Sequence, residues 1–334
     1  MRPLDPIRVV RLGASVSLLG MTVLTSSATA QVAGAGPPQV QISTEPVESR
    51  NHVSPVPFGP GELLRYKVKM GAFSVGEAYL AVTTVDTVRG NPAYHAVMRL
   101  SGGIPLARVE DTFQTWIDIG SLFSHRFRKD QDEVGYKRLQ HLEFFPDEGE
   151  YADTVSGWRG PLVVSRPLDD ISFIYFVRSL PLEVGDTYYL NRYYTETGNP
   201  VKIHVERIDT VEVPAGTFET LVIKPEGKTK GLFSQGGEAE IHLSNDENRV
   251  VVYLRTRMPV LKSLTLHLEE LQLGRPIKSG FYQLTPEDLA PDSMLPPEAR
   301  TGPPAGAAGS SGSAGSGAED PGGSTGEVRL PPAN

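Results

Sequence analysis

The stretch LDDISFIYFVRSLPLEVGDTYYL, residues 168–190, decides how the rest of the chain is read. Pro167 and the pair Asp169-Asp170 precede an apolar run that stops at Pro181. This punctuation predicts a short helix of about three turns. It supplies an aspartate N-cap, acidic charge at the positive helix end, and proline after the stop. On that helix Phe173, Phe176, Val177 and Leu180 form one stripe, while Ile171, Ile174 and Tyr175 form most of the other side. A helix apolar all round is buried on more than one side. Arg178, near the C-terminal end, suits the negative pole but cannot be buried without an acceptor. Asp170 lies nearly three turns away, so the acceptor is a carboxylate or carbonyl from elsewhere in the chain. The letters ISFIYFV also suit a strand, being aromatic and β-branched; the capping residues favour the helix.

The remainder reads as strands. In RYKVKM, Tyr66, Val68 and Met70 alternate with Arg65, Lys67 and Lys69. The same period of two recurs at Val201, Ile203 and Val205, and at Leu264, Leu266 and Leu268. One face of each strand is buried and the other wet, as in antiparallel sheets. Turn signals such as Arg89-Gly90-Asn91-Pro92, Pro146-Asp147-Glu148-Gly149, Pro214-Ala215-Gly216 and Ser244-Asn245-Asp246 separate them. Parity slips at Ile208 after Val205 and at Leu271 after Leu268, which predicts bulges and hence a bent sheet. The expected fold is therefore mainly β: one large curved antiparallel sheet or open barrel of roughly ten strands. The apolar helix lies in its concavity as a plug or lid.

The ends differ in composition. Arg2, Arg8 and Arg11, the run LGASVSLLGMTVL and the motif Ala28-Thr29-Ala30 before Gln31 read as a signal peptide over residues 1–30, cleaved between Ala30 and Gln31. The apolar run is too short to span a bilayer; a retained N-terminal anchor is the alternative. Residues 31–57 read as a disordered linker, 58–284 as the β domain, and 285–334 as a disordered Gly/Ser/Ala/Pro-rich tail that cannot offset its ordering entropy. The expected location is the periplasm or cell envelope. The 334 residues include no cysteine, which excludes disulfides, thiolate metal sites, cysteine nucleophiles and an acylated cysteine anchor. A formal net charge of −8 argues against attachment to nucleic acid or anionic headgroups. No apolar run after the first thirty residues is long enough for a transmembrane segment.

Within residues 58–284 no G-x-S-x-G, H-E-x-x-H, P-loop, S-x-x-K or dinucleotide glycine motif is present. GLFSQGG, residues 231–237, only loosely resembles a nucleophile elbow, since Gly231 stands three residues before Ser234. None of the seven histidines stands at close metal-ligand spacing to another histidine. His204, His242 and His267 meet only if their strands are neighbours, and exposed strand residues are the ordinary reading. Glu110 and Asp111, adjacent on a strand, face opposite sides and do not share a substrate. Asp169 and Asp170 are explained by capping, and HRFRKDQDE, residues 125–133, by a solvated hairpin. No catalytic residue, metal or cofactor is expected; a hydrolase without a recognisable motif is the alternative.

PFGPGELLRYKVKMGAFSVGEAYL near the start, DDISFIYFVRSLPLEVGDTYYL in the middle, and VEVPAGTFETLVIKP followed by IHLSNDENRVVVYLR resemble, in that order, the exported bacterial family named domain of unknown function 3108. The resemblance runs over most of residues 58–274. It implies an exported envelope protein without an assigned activity, so no catalytic residues carry over. It also implies an Asp-x-x-Ser helix start, Arg178 and a Pro-x-Gly-Thr-Phe turn as family features. Asp170 is only two residues from Ser172; counting from Asp169 restores the spacing, which leaves two alternative caps. The expected function is a non-catalytic binding or carrier module for a lipid or other amphipathic envelope molecule, with Phe173, Tyr175, Phe176 and Arg178 facing the ligand. A structural protein of the envelope that docks a protein partner is the alternative.

Overall fold

The computed structural model describes residues 53–104, 107–133, 136–227, 239–258, 262–277 and 281–300. The expected signal peptide and its expected cleavage site at Ala30 and Gln31, the loose elbow at residues 231–237, and most of the two terminal segments lie outside these residues.

Among the described residues sixteen strands and one α-helix follow in chain order. The first strand, β1, is Val53–Pro55. A meander then runs through β2 (Glu62–Met70), β3 (Phe73–Val88), β4 (Asn91–Ile104), β5 (Ala107–Asp118), β6 (Ser124–Glu133), β7 (Tyr136–Phe145), β8 (Glu150–Asp153) and β9 (Arg159–Pro161). The helix α1 is Asp170–Arg178. A second meander comprises β10 (Thr187–Leu190), β11 (Val201–Val213), β12 (Gly216–Glu226), β13 (Glu240–Ser244), β14 (Val251–Met258) and β15 (Lys262–Gln272). β16 (Phe281–Gln283) pairs with β1.

The two meanders join where β15 pairs antiparallel with β2, giving one antiparallel sheet of fourteen strands in the order β10 to β15, then β2 to β9. The count exceeds the roughly ten strands expected, because charged stretches such as β6 also pair as strands. Bulges stand at both parity slips, between Val205 and Arg207 and between Leu268 and Glu270. Ile208 and Leu271 nevertheless remain exposed. Gly76 and Gly102 pair across β3 and β4. A Cβ on Gly76 would stand 2.2 Å from the Ser101 carbonyl, so only glycine permits this approach.

The helix is enclosed. It packs on β4 and β5. Tyr175 meets Phe58 edge-on at 4.7 Å and Phe176 meets Tyr282 of β16 at 5.2 Å. All nine helix residues are buried. Asp169 is the N-cap: its Oδ1 accepts the Ile171 and Ser172 N–H groups while Ser172 Oγ accepts the Asp169 N–H. This reciprocal capping box settles the cap on Asp169, with Asp170 as the first helical residue. Each buried phenylalanine or isoleucine contributes about 1.5–3 kcal/mol, so the all-round apolar helix is held by burial on every side.

Both domain boundaries move outward. Residues 53–57, expected in the linker, enter the fold through β1 and the buried Val56. Residues 285–300, expected in the tail, are also packed: Ala290 and Leu295 are buried and Leu289 is partly buried against the core. This segment runs along β10, where Asn191 N–H donates to the Asp288 carbonyl and Ala290 N–H to the Tyr189 carbonyl. The physical reason is Asp288, which accepts from Thr285 N–H at 2.8 Å and faces Arg192 at 3.2 Å. The ion pair holds a segment whose prolines give it no periodicity.

Candidate functional site

The concave face around α1 carries two groups of polar side chains, one at each helix end. At the C-terminal end, Arg178 donates two parallel hydrogen bonds to Glu62, at 2.7 and 2.8 Å, and a third to the Asn248 carbonyl at 3.2 Å. Glu62, first in β2, is the carboxylate partner that the sequence required without naming. Both side chains are fully buried. Burial opposes the Arg178 charge, but Glu62 more than reverses this and holds the guanidinium above its ordinary pKa.

Around this pair, three buried polar atoms have no hydrogen-bond partner among the described residues: Tyr94 Oη, Tyr175 Oη and Arg178 Nε. All surround Phe58, whose ring lies 5.3 Å from that of Tyr94, 4.7 Å from that of Tyr175 and 5.4 Å from Arg178 Cζ. Burial pushes the Tyr94 hydroxyl pKa up to about 12 and that of Tyr175 well above its ordinary value. Both are hydroxyl donors in a region short of acceptors.

At the N-terminal end the chemistry is acidic. β6 is HRFRKDQDE with Ser124 in front, and its alternation places Phe127, Lys129, Gln131 and Glu133 inside. The expectation of a solvated hairpin over residues 125–133 is thus corrected. Pairing with both β5 and β7 makes this a central strand with one buried face. Asp111 of β5 faces the same way, while its neighbour Glu110 turns outward to Arg99 and Arg108. The Gln131 amide donates to Asp111 Oδ2 at 3.1 Å and to Glu133 Oε1 at 3.2 Å, which binds the two carboxyls together. Burial, reinforced by Asp111, pushes the Glu133 pKa up to about 7. Burial raises that of Asp111 against the opposing Gln131 hydrogen bond. Asp111 Oδ1 is buried and without a partner among the described residues.

Lys129 links this pair to the helix. Its Nζ lies 3.7 Å from Asp170 Oδ2 and 5.2 Å from the Phe113 ring centroid. Tyr193 donates to Asp170 Oδ1 at 3.3 Å. Tyr193 touches Tyr194, Tyr194 touches Phe144 and Tyr151, and Tyr151 touches the half-exposed Trp158, which gives an aromatic wall leading outward. Thr115 donates to the N-cap Asp169 at 2.6 Å.

The four residues expected to face a ligand, Phe173, Tyr175, Phe176 and Arg178, are all packed against the protein's own core and at most 3% exposed. Of these, only Tyr175 and Arg178 keep an unpartnered polar atom. The aspartates do what capping requires. The three strand histidines do not converge: His204 is 2.9 Å from Thr187 Oγ1, while His242 and His267 flank Tyr253 edge-on at 5.0 and 5.1 Å. Among the described residues no group of three or more His, Cys, Asp or Glu is placed to hold a metal ion. No helix among them is long and apolar enough to cross a membrane. What sequence reading missed is the inner face of β6; the available signal was that Lys129, Gln131 and Glu133 continue the phase of Phe127.

Residues 65–269 match the model of the family described as "Protein of unknown function (DUF3108)". The chain belongs to the DUF3108 family. The matched span contains α1, Arg178 and the whole acidic group, while Glu62, Phe58 and the 285–300 segment lie outside it. No curated protein matches this DUF3108 chain. Among solved structures, a Brucella abortus β-barrel-like protein of domain of unknown function DUF1849 is similar with TM-score 0.41 and 10% identity, over 68% of this chain and 100% of its own. A Bacteroides fragilis protein described as exported, with a YmcC-like fold, gives TM-score 0.23 and 13% identity over 66% and 100%. A Parabacteroides distasonis protein described as a lipoprotein gives 0.23 and 10% over 66% and 99%.

Proposed function

We propose that this DUF3108 protein is an exported, non-catalytic binding or carrier module of the cell envelope that holds a lipid or other amphipathic molecule against the concave face of its sheet. One observation carries the reading: Tyr94 Oη, Tyr175 Oη and Arg178 Nε are buried around Phe58 with no partner among the described residues. Each such group costs about 1–3 kcal/mol when unsatisfied, so three together favour an acceptor brought from outside the chain. A carbonyl or phosphoryl oxygen attached to apolar chains has the matching chemistry. Tyr175 and Arg178 supply the donors from the helix. Export rests on the signal-peptide pattern of residues 1–30.

The test is native mass spectrometry, with solvent extraction, of the protein purified from its own envelope. A bound amphipath is expected, and its recovery drops in Tyr175→Phe. Repeated recovery of empty wild-type protein overturns the reading. The second reading, docking of an envelope protein, is favoured by β9 at the end of the sheet, beside the exposed side chains Trp158 and Val163. An added strand would pair there.

A further inference from the structure

The acidic group at the helix N-terminus has no part in the donor cluster described above, and its charges do not balance. Asp111, Glu133, Asp169 and Asp170 are four buried carboxyl groups, and among the described residues the buried cation that reaches them is Lys129. Asp169 is satisfied by the helix N–H groups and Thr115, and Asp170 by Lys129 and Tyr193. The pair Asp111 and Glu133 is left. Gln131 donates to one oxygen of each, the two carboxyls hydrogen-bond to each other when one of them holds a proton, and Asp111 Oδ1, buried with its whole side chain, meets no donor among the described residues when both are ionised. Two neighbouring carboxylates cannot both stay ionised in a sheltered site unless a proton or a cation joins them.

We propose that Asp111 and Glu133 bind a primary ammonium group, the cationic part of the amphipathic molecule held on the concave face. This rests on the carrier reading above. An ammonium has three donors and one positive charge. It thereby offers what the pair lacks: a donor for Asp111 Oδ1, a donor for Glu133, and a charge that displaces the shared proton. A neutral hydroxyl would supply donors without the charge. A metal ion is disfavoured because no third ligand stands with the pair among the described residues. The aromatic wall from Tyr193 through Tyr151 to Trp158 begins at Asp170, at the same end of the helix, and offers π-faces on which cations are stabilised.

The groups facing the pair set the pH response. They are Lys129 and Gln131 on β6, Leu100 opposite Asp111 on β4, Arg138 and Gln140 opposite Gln131 and Lys129 on β7, Tyr136 opposite Glu133, and Asp170 at the helix start. Arg138 is exposed and donates to Gln140, so it does not neutralise the carboxyls.

The experiment measures binding of octylammonium, octyltrimethylammonium, octanol and octanoate to the mature protein by calorimetry, between pH 5.5 and pH 8. Octylammonium is expected to bind best and about tenfold more tightly at the higher pH, because protons compete for the pair while the amine stays charged. Asp111→Asn and Glu133→Gln are each expected to weaken it at least tenfold while melting no lower than wild type. Octyltrimethylammonium binding as well as octylammonium, a flat pH profile, or unaltered affinity in both variants would overturn the assignment. Equal binding of octanol and octylammonium would remove the ammonium assignment and leave the carrier reading standing. Failure of all four probes would count against both.

Discussion

Replacing Glu62 by Gln tests the electrostatic logic of the core. The substitution keeps size and shape but removes the charge opposite Arg178, whose guanidinium is fully buried and makes its two shortest hydrogen bonds to Glu62, at 2.7 and 2.8 Å. The remaining acceptor is the Asn248 carbonyl at 3.2 Å. Breaking a buried pair from one side leaves an uncompensated charge and costs about 3–5 kcal/mol. For a domain of this size each kcal/mol moves Tm by about 2–4 °C, so Glu62→Gln is expected to melt about 6–20 °C lower. The double variant Glu62→Leu/Arg178→Met removes both charges and the unpartnered Nε, and should return to within about 1 kcal/mol of wild type. Urea titrations of wild type, Glu62→Leu, Arg178→Met and the double variant complete the double-mutant cycle. Since both groups are buried, 1 M salt should leave the coupling nearly unchanged. A Glu62→Gln loss below about 1 kcal/mol, or a double variant as unstable as the sum of its singles, would refute the reasoning.

Three further outcomes follow from the same geometry. Asp169→Ala removes the acceptor of the Ile171 and Ser172 N–H groups and of Thr115, and should cost about 2 kcal/mol or more in urea; Asp169→Asn, which still caps, should cost less. Burial raises the carboxyl of Glu133 to about 7, so the folded protein holds a proton that the unfolded chain releases between about pH 4.5 and 7; stability therefore falls as pH rises through that window. Tm should drop from pH 5 to pH 8, and Glu133→Gln should flatten the slope; a wild-type Tm that rises across this range sinks the assignment. Ending the chain at Leu284 removes Asp288 from the buried Arg192 and the partly buried Leu289 from beside β10, so this truncation should melt well below one ending at Arg300, and equal melting temperatures would deny the segment a structural role.

The alternation of Tyr66, Val68 and Met70 and of Leu264, Leu266 and Leu268 made the sheet legible, because period two survives wherever one face is buried. The helix was legible from its caps, and its enclosure from the absence of a polar side. Partner identities were not. Glu62 and Arg178 stand 116 residues apart, and nothing local to either names the other. β6 was hidden for a different reason: its buried face carries Lys129, Gln131 and Glu133, residue types that ordinarily mark solvent. The segment from Thr285 to Arg300 was hidden because proline-bounded turns have no period, and its attachment depends on one aspartate, Asp288, meeting a distant arginine. In both cases polar groups inside the fold misled a reading that equates charge with exposure.

The two polar groups are also ordered by the helix between them. A helix carries a partial positive charge of about one half at its N-terminus and the opposite at its C-terminus. Arg178 occupies the negative end, and Asp169 and Asp170 the positive end, so each lies where the field favours it. At the C-terminal end the ledger closes, since Glu62 answers Arg178 charge for charge. At the N-terminal end it does not. The helix pole and Lys129 together carry less positive charge than the four carboxyls carry negative, and Lys129, 3.7 Å from Asp170, also acts on Asp111 and Glu133. Asp111 and Glu133 remain, on two adjacent strands that hold them side by side. Hydrophobic residues at both positions would close this part of the core at lower electrostatic cost. The carboxyls are therefore better explained by what they hold, a proton or an ammonium group, than by what they contribute to folding.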